Sequence, residues 1–415
     1  MWTGRMGFVR ARVAAAVIAV GIVTIATGSA LAQPGGGRGG GGMRGPMGDM
    51  FSAPVTTREI EVFTQVAGLT TDQKEAAATI LEGYQEQFRA KATKVQREME
   101  KVRDKFQESR DPAVWQEMRG TMQDFRAERK AIEEQFFADF KAILTPEQVE
   151  RWPAIERAHR RSRTVSRGMM SGERVDLVTI IESSKFPVEV QASVIPVLGE
   201  YEEALDRELI ARNKAYDDVA DAFSQGGGPE GFARAGDLMT KGREASIRVR
   251  EVNRKYARQL ADMLPDDYKA TFDEAVKRAS YPEVYRTTLT SQQIAAAEKF
   301  EDLDQAQKDS LESLKQSYSR SLAAVNERLA AAITEREEAF DPRQMGNRFG
   351  RGRDENDAAS VLRRERRELD ESTAESLKKL LNAQQVERLP QEEEGREGGD
   401  RRRGGQRRGG TQQEI

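Results

Sequence analysis

Residues 81–106 read LEGYQEQFRAKATKVQREMEKVRDKF and carry a helical pattern. Their apolar residues follow one another in steps of 3, 4, 7, 4, 3 and 4: Leu81, Tyr84, Phe88, Val95, Met99, Val102 and Phe106. Steps of three, four and seven keep apolar side chains on one face of a helix, as in the seam of a coiled coil. The stretch therefore predicts a long amphipathic helix that packs along a partner helix.

The partner helix follows directly in the sequence. Asp111 and Pro112 supply a helix-capping residue and a proline at the first helical position. A second apolar stripe with the same steps then runs from Trp115 to Ile143. Two such seams joined by a short turn predict an antiparallel helical hairpin, with arms of about 35 residues, or ~50 Å, at the rise of an α-helix.

The hairpin pattern recurs at a spacing of 117 residues. The recurring positions are aromatic or aliphatic: Tyr84, Tyr201 and Tyr318; Phe106, Phe223 and Phe340; Leu69, Phe186 and Leu303; Phe88, Leu205 and Leu322. A shared length with matched apolar positions indicates repeated copies of one structural unit. We expect an all-α protein of three tandem, coiled-coil-like hairpins with short capping helices, at 53–165, 170–284 and 287–389. An Arg/Gly-rich insertion at 342–356, expected to be disordered, interrupts the third.

Both ends of the chain differ in composition from the repeats. Arg5, Arg10 and Arg12 precede an apolar run of 15 residues, 13–27, and the small-x-small pattern Ala30-Leu31-Ala32. This order is typical of a signal peptide, 1–32, cleaved before Gln33. An uncleaved anchor is the alternative, although a spanning helix needs ~20 residues. The Gly-rich linker 33–52 and the charged, Arg/Gly-rich tail 390–415 are predicted to be disordered.

Composition limits the compartment and the chemistry. The chain has no cysteine, so no disulfide is needed in an oxidising compartment, and we expect a periplasmic protein, with secretion as the alternative. Lys and Arg total 66 against 69 for Asp and Glu, a balance that favours no nucleic-acid partner. His159 is the only histidine, which argues against nucleophile–histidine catalysis and against a metal site. We expect a non-enzyme without metal or cofactor.

His159 stands in a basic run that we expect to be a solvated segment between repeats. Its arginines are candidate contacts for anionic envelope surfaces: Arg157, Arg160, Arg161, Arg163 and Arg167. Single charged side chains at such a junction are normally hydrated. The run therefore indicates electrostatic attachment rather than chemistry.

A short motif marks the ends of the repeats. Its clearest copies share Leu-Thr followed three residues later by Gln: Leu69, Thr70 and Gln73; Leu144, Thr145 and Gln148; Leu289, Thr290 and Gln293. Relaxed copies begin at Leu303 and Leu381. With the threonine as N-cap, the glutamine falls at the third helical position and completes a capping box, and the leucine precedes the cap. The motif predicts a helix start at each copy and leaves any further role open.

The two motifs of the first repeat flank a long charged hairpin behind a signal peptide. In this respect the chain resembles the LTxxQ-motif family of bacterial periplasmic proteins, of the Spy and CpxP type, from Thr57 to Arg157. The resemblance implies an ATP-independent chaperone for unfolded or envelope proteins, or an envelope-stress factor. Known members carry one unit and pair as dimers, so three units depart from the pattern and leave the oligomeric state open.

A structural spacer or scaffold of the cell envelope is the alternative function. The second repeat has lost the motif, since Phe186 and Leu264 begin the corresponding stretches FPVEV and LPDDY. A continuous exposed apolar groove would favour the chaperone, because such patches mark interaction sites. Seams buried in pairs beneath charged outer faces would favour the scaffold.

Overall fold

The computed structural model describes residues 51, 53–109, 111, 113–225, 229–344 and 357–391. Helices make up 83% of these residues and none of them forms a strand. The predicted all-α fold is therefore confirmed. The predicted signal peptide, and nearly all of the Gly-rich linker, the insertion at 342–356 and the C-terminal tail, lie outside the described residues.

The described helices fall into three successive groups with the same order of short and long elements. The first group contains α1 Thr57–Ala67, α2 Thr71–Ser109, α3 Ala113–Ala142, α4 Pro146–Val149 and α5 Trp152–Thr164. The second contains α6 Leu177–Ser183, α7 Val188–Gln225, α8 Pro229–Met263 and α9 Asp266–Ser280. The third contains α10 Leu289–Ala297, α11 Gln305–Ala339, α12 Ala358–Leu380 and α13 Ala383–Glu387. Short 3₁₀ turns occupy Val165–Arg167 and Pro342–Gln344. We call the groups units 1, 2 and 3.

The two long helices of each unit pack against each other. In unit 1, Lys91 pairs with Glu128 at 2.9 Å, whereas Lys105, further along α2, pairs with Glu117 near the start of α3 at 3.1 Å. Contacts that approach the turn from both sides show that the helices are antiparallel. Asp111 fixes that turn, because its carboxylate accepts the Ala113 N–H at 2.8 Å, as expected of a capping residue.

Aromatic side chains fill the seam of unit 1. The rings of Tyr84 and Phe136 have centroids 5.0 Å apart, and those of Phe88 and Phe125 are 6.1 Å apart. All four side chains are buried, and tilted aromatic pairs at this distance add about 0.5–1.5 kcal/mol each beyond the burial of their surface. These four residues of the two apolar stripes are thus buried inside the hairpin.

The three recurring tyrosines occupy the same place in their units. Each lies on the first long helix and is buried, and each hydroxyl reaches the start of the short helix that opens the unit. Tyr84 accepts the Val55 N–H at 3.2 Å. Tyr201 accepts the Leu177 N–H at 3.4 Å, and Tyr318 lies 2.6 Å from the hydroxyl of Thr288. The tyrosines that recur every 117 residues therefore make an equivalent contact in each unit, between the first long helix and the start of the short helix.

Neighbouring units pack directly on one another. Helix α5 of unit 1 lies against α7 of unit 2. Val284, after α9, is buried in a cluster with Leu329 and Ile333 of α11. The hydroxyls of Tyr281 and Thr334 are 2.6 Å apart across the same boundary. Apolar and polar contacts together thus join each unit to the next.

Candidate functional site

The two motifs of unit 1 meet at the open end of the hairpin. Thr70 and Thr145 each begin a helix, and each has the reciprocal hydrogen bonds of a capping box with Gln73 and Gln148. The side-chain amide of Gln73 donates to Gln148 Oε1 at 2.8 Å, and that of Gln148 donates to Gln73 Oε1 at 3.0 Å. The glutamines therefore join two helix starts that are 75 residues apart. We call this reciprocal pair the glutamine lock.

The glutamine lock also satisfies backbone groups that the helix ends leave free. Gln73 donates to the Ile143 carbonyl at 2.7 Å, just after α3, and Gln148 donates to the Gly68 carbonyl at 3.1 Å. Gly68 ends α1 in the left-handed region, φ 69°, where a residue without a side chain is favoured. Because terminal carbonyls need partners, each glutamine serves as a cap for one helix and a clasp for another.

Unit 3 contains a related lock built from the relaxed motifs, with one bond between the glutamines, since the Gln385 amide donates instead to the Asp302 carbonyl at 3.2 Å. Asp304 and Asn382 are the N-caps, with Gln307 and Gln385 completing the capping boxes. Gln307 donates to Gln385 Oε1 at 3.1 Å and to the Leu380 carbonyl at 3.0 Å. The chemistry of the lock thus requires the glutamines and a capping residue, and threonine is interchangeable with Asp or Asn.

Unit 2 closes the same end without glutamines. Phe186 and Tyr268, which stand at motif positions, bring their rings to 5.3 Å between centroids. Phe186 is buried in the core of the unit. Apolar ring contact therefore replaces the polar lock, which explains how this unit tolerates the loss of the motif.

The copy at Leu289 behaves differently from the prediction. Helix α10 starts at Leu289 itself, and its N-cap is Thr288, whose side chain accepts the Ser291 N–H. Thr290 and Gln293 lie inside the helix, buried, and bond the carbonyls of Asp370 and Pro390. The predicted cap at Thr290 is therefore corrected to Thr288, because the Thr288 hydroxyl is also held by Tyr318.

The basic run is a joint within the chain and not a solvated segment. Arg160 and Arg161 pair with Asp206 and Glu202 of α7, and Arg161 also lies 3.3 Å from Asp176. These guanidinium groups are largely withdrawn from solvent, and bidentate or networked arginine pairs are stronger than isolated surface pairs. Arg160 and Arg161 are thus turned towards unit 2.

The remaining arginines of the run also face carboxylates of this chain. Arg157 lies 4.0 Å from Glu203 of α7. The charge of Arg163 favours the ionised form of Glu133, and that of Arg167 favours the ionised form of Asp217. Arg157, Arg160 and Arg161 therefore pair with carboxylates of this chain, and Arg163 and Arg167 stabilise two further carboxylates electrostatically, which the sequence alone did not indicate.

His159 lies in α5 and is largely shielded, with 13% of its side chain exposed, rather than solvated between repeats. Its Nδ1 lies 3.0 Å from Glu59 Oε1, and its Nε2 lies 2.9 Å from Glu133 Oε1. Burial by itself would lower the pKa of His159, but the hydrogen bonds to the two carboxylates outweigh burial and raise the pKa. The ring also packs edge-on against Phe63 and Phe137. The expected solvated position of His159 is corrected accordingly, since folding places a carboxylate at each ring nitrogen.

A second buried charge cluster holds the loop between units 1 and 2. Glu173 and Arg212 are both almost fully buried and are joined at 2.6 Å. The same Glu173 carboxylate accepts the N–H groups of Met169 and Met170 at 2.8 and 3.1 Å. Ser171 of this loop donates to Glu337 of unit 3 at 2.8 Å. One loop thus leads out of unit 1 and contacts units 2 and 3. No local sequence motif predicts this role.

The outer surface offers charges rather than a continuous apolar groove. The large exposed apolar residues of the described chain are five, of which Val188 and Ile210 lie 22 positions apart on α7 and the others on other elements: Met169, Val188, Ile210, Met263 and Val361. One shallow, open cleft follows a single face of α2, and its lining residues all belong to this helix and are mostly charged: Glu86, Arg89, Ala90, Thr93, Lys94, Arg97, Glu98 and Lys101. The accessible chemistry of this face is electrostatic.

Metal chemistry and membrane insertion find no support among the described residues. No group of three or more His, Cys, Asp or Glu side chains there could hold a metal ion. Within the same ranges, every helix is too short or too polar to cross a bilayer. These statements concern only the part of the chain that the structure describes.

Comparison of the chain with family models, with curated proteins and with solved structures gave no match.

Proposed function

We propose that this protein is a non-enzymatic component of the cell envelope that acts as a rigid helical scaffold. The observation that supports this best is the use of its apolar surface. The seam residues of the long helices are buried or partly buried within units, and five large apolar residues of the described surface are strongly exposed. A protein that binds unfolded clients through apolar contacts would expose a continuous apolar surface.

Stiffness is the second property that supports a scaffold. The glutamine locks of units 1 and 3 tie the ends of each hairpin together, and charged contacts tie α5 to α7. At 1.5 Å per residue, the 39 residues of α2 extend ~58 Å. A hairpin of that length, closed at its base and docked to its neighbour, can hold attached partners at a set separation. The signal-like residues 1–32 place this role outside the cytoplasm in our proposal.

The chaperone remains a second candidate because of the cleft along α2. Arg89, Lys94, Arg97 and Lys101 give this cleft a basic character, broken by Glu86 and Glu98. Together with the resemblance to the Spy and CpxP type, the cleft suggests a weak, salt-sensitive grip on acidic segments of unfolded chains. Such binding would weaken as salt screens the charges.

An aggregation assay separates the two functions. The chain from Gln33 onward is mixed with chemically denatured test proteins, without nucleotide, at equimolar ratio and at several-fold excess. The scaffold predicts that aggregation is unchanged at both ratios. Suppression that disappears in a variant carrying Arg97→Ser and Lys101→Ser would overturn the scaffold in favour of a client-binding cleft.

Rigidity itself is measured by pulsed EPR. The chain has no cysteine, so spin labels at Lys94→Cys in unit 1 and Glu375→Cys in unit 3 report one distance. Both positions are exposed. The scaffold predicts a narrow distribution that added client does not change. A broad distribution would contradict a spacer of fixed length.

A further inference from the structure

The surroundings of His159 form a closed arrangement of charges on three helices. Glu59 comes from α1, Glu133 from α3 and His159 from α5. Ser162 donates to Glu59 Oε1 at 2.7 Å and the Thr56 N–H donates to Glu59 Oε2 at 3.0 Å. Glu59 is therefore fixed in position before the imidazole is considered.

This arrangement suits only one protonation state of the ring. A carboxylate accepts hydrogen bonds and cannot donate them, so two carboxylates require two N–H groups on the imidazole. Removing one proton would place a ring lone pair about 3 Å from a carboxylate oxygen in a site partly closed by aromatic rings. Repulsion between that lone pair and the carboxylate opposes the neutral form and outweighs burial, which favours it. The cluster is matched to a histidine cation.

The same helix carries the joint to unit 2. His159 stands between Arg157 and the arginines Arg160 and Arg161, whose partners are carboxylates of α7. Helix α5 has 13 residues. It packs against α1 of unit 1 and against α7 of unit 2. A change in the hold on α1 can therefore be transmitted through this short helix to its contact with α7.

We infer that Glu59, His159 and Glu133 form a proton-operated latch on the joint between units 1 and 2. With the ring protonated, the latch holds α5 against α1 and α3 and the joint is fixed. With the ring neutral, α5 is released from one side and the units move relative to each other. This inference is compatible with either proposed function, and the scaffold requires the closed latch.

The other charged groups around the ring set the direction of the response. Arg129 of α3 and Arg163 of α5 favour ionised Glu133, and the pKa of Tyr84 on α2 is raised by burial, so Tyr84 stays neutral. The pKa of His159 is raised above its ordinary 6.5, whereas hydrogen bonds from the histidine outweigh burial and lower the pKa values of Glu59 and Glu133 below 4.5. The latch is thus closed at pH values between the lowered pKa values of the two glutamates and the raised pKa of His159. It opens as pH rises through the folded-state pKa of His159.

A single histidine makes the latch directly observable. Histidine labelled with ¹³C gives one imidazole signal in the intact protein, because the chain contains one histidine. Spin labels at Lys94→Cys in unit 1 and Asp262→Cys in unit 2, both largely exposed, report the distance between units. We expect the NMR titration midpoint to lie above 6.5 and the interspin distance distribution to broaden with the same midpoint.

Variants separate the latch from ordinary structural support. Glu133→Gln keeps an acceptor for the ring but removes its charge, so both midpoints should move together to lower pH. Glu134→Gln changes the adjacent carboxylate, which is 67% exposed, and should leave both midpoints in place. His159→Gln should abolish the distance change. If His159→Gln unfolds unit 1, the Glu133→Gln shift decides. A distance distribution that is identical on both sides of the NMR midpoint, or an unmoved midpoint in Glu133→Gln, overturns the inference.

Discussion

Replacing Gln148 by alanine tests whether the motif is a clasp between helices or only a helix start. The side chain accepts from the Thr145 N–H at 2.9 Å and from the Gln73 amide at 2.8 Å. It donates to Gly68 and Gln73 at 3.1 and 3.0 Å. A net hydrogen bond contributes ~1 kcal/mol. Because the site is half-buried and water replaces part of these bonds, we expect unit 1 to lose about 2 kcal/mol of unfolding free energy.

The comparison with Thr145→Ala makes the test decisive. The threonine hydroxyl supplies one capping bond, to the Gln148 N–H at 3.3 Å, and loss of an N-cap costs ~1 kcal/mol. If the motif only started helices, the threonine variant would be at least as damaging as the glutamine variant. The lock predicts the opposite order, because the glutamine also holds the other end of the hairpin.

Tryptophan fluorescence during urea unfolding isolates unit 1. After residue 32 the chain's tryptophans are Trp115 and Trp152, and both belong to this unit. Gln135→Ala serves as the matched control, since Gln135 is exposed and bonds only within its own helix, to Asp139, where a pair contributes a few tenths of a kcal/mol.

A double-mutant cycle completes the measurement. Gln73→Ala and Gln148→Ala are made singly and together. The reciprocal amide bonds predict an interaction energy of ~1 kcal/mol between the two positions. Additivity within about 0.3 kcal/mol, the usual result for independent sites, would refute the lock, as would equal losses in Gln148→Ala and the control.

Three further predictions follow from the corrected sites. Thr288→Ala should destabilise unit 3 by ~1 kcal/mol as a lost cap, and Thr290→Ala should leave the start of α10 in place, as judged by thermal melts. Glu173→Ala should cost about 3–5 kcal/mol because it strands a buried guanidinium, and exchanging Glu173 and Arg212 together for apolar residues should recover most of the loss in urea titrations. The raised pKa of His159 contributes stability below its unfolded pKa, and this contribution should disappear as pH rises through the folded-state pKa, visible in unit 1 melts at successive pH values.

The sequence predicted the helical architecture because that information is periodic. Steps of three, four and seven require a helix with one apolar face, and the 117-residue spacing repeats that face with its tyrosine. The start of α12 after Asp357 also lies where the sequence places the return of the helix. Such patterns do not depend on how the helices dock against each other, since they specify which surface of each helix must be buried.

Local capping was readable for the same kind of reason. The bonds of a capping box join residues three apart, so Thr70 and Thr145 could be identified without knowing their surroundings. At Leu289 two threonines compete within three residues, and the choice depends on Tyr318, which is 30 residues from Thr288. A local rule cannot settle a competition that a distant side chain decides.

The sequence by itself determined the helices, their apolar faces, the repetition and most of the caps. Only the tertiary structure decided what the polar residues do. Gln73 and Gln148 meet across 75 residues, and His159 meets Glu59 across 100. The sequence has 415 residues and 69 acidic side chains. From the sequence alone, an arginine that faces water cannot be distinguished from one that pairs with any of those carboxylates. The pairing is set by the angle and register at which finished helices dock, because a charge gains its role from its neighbours in space.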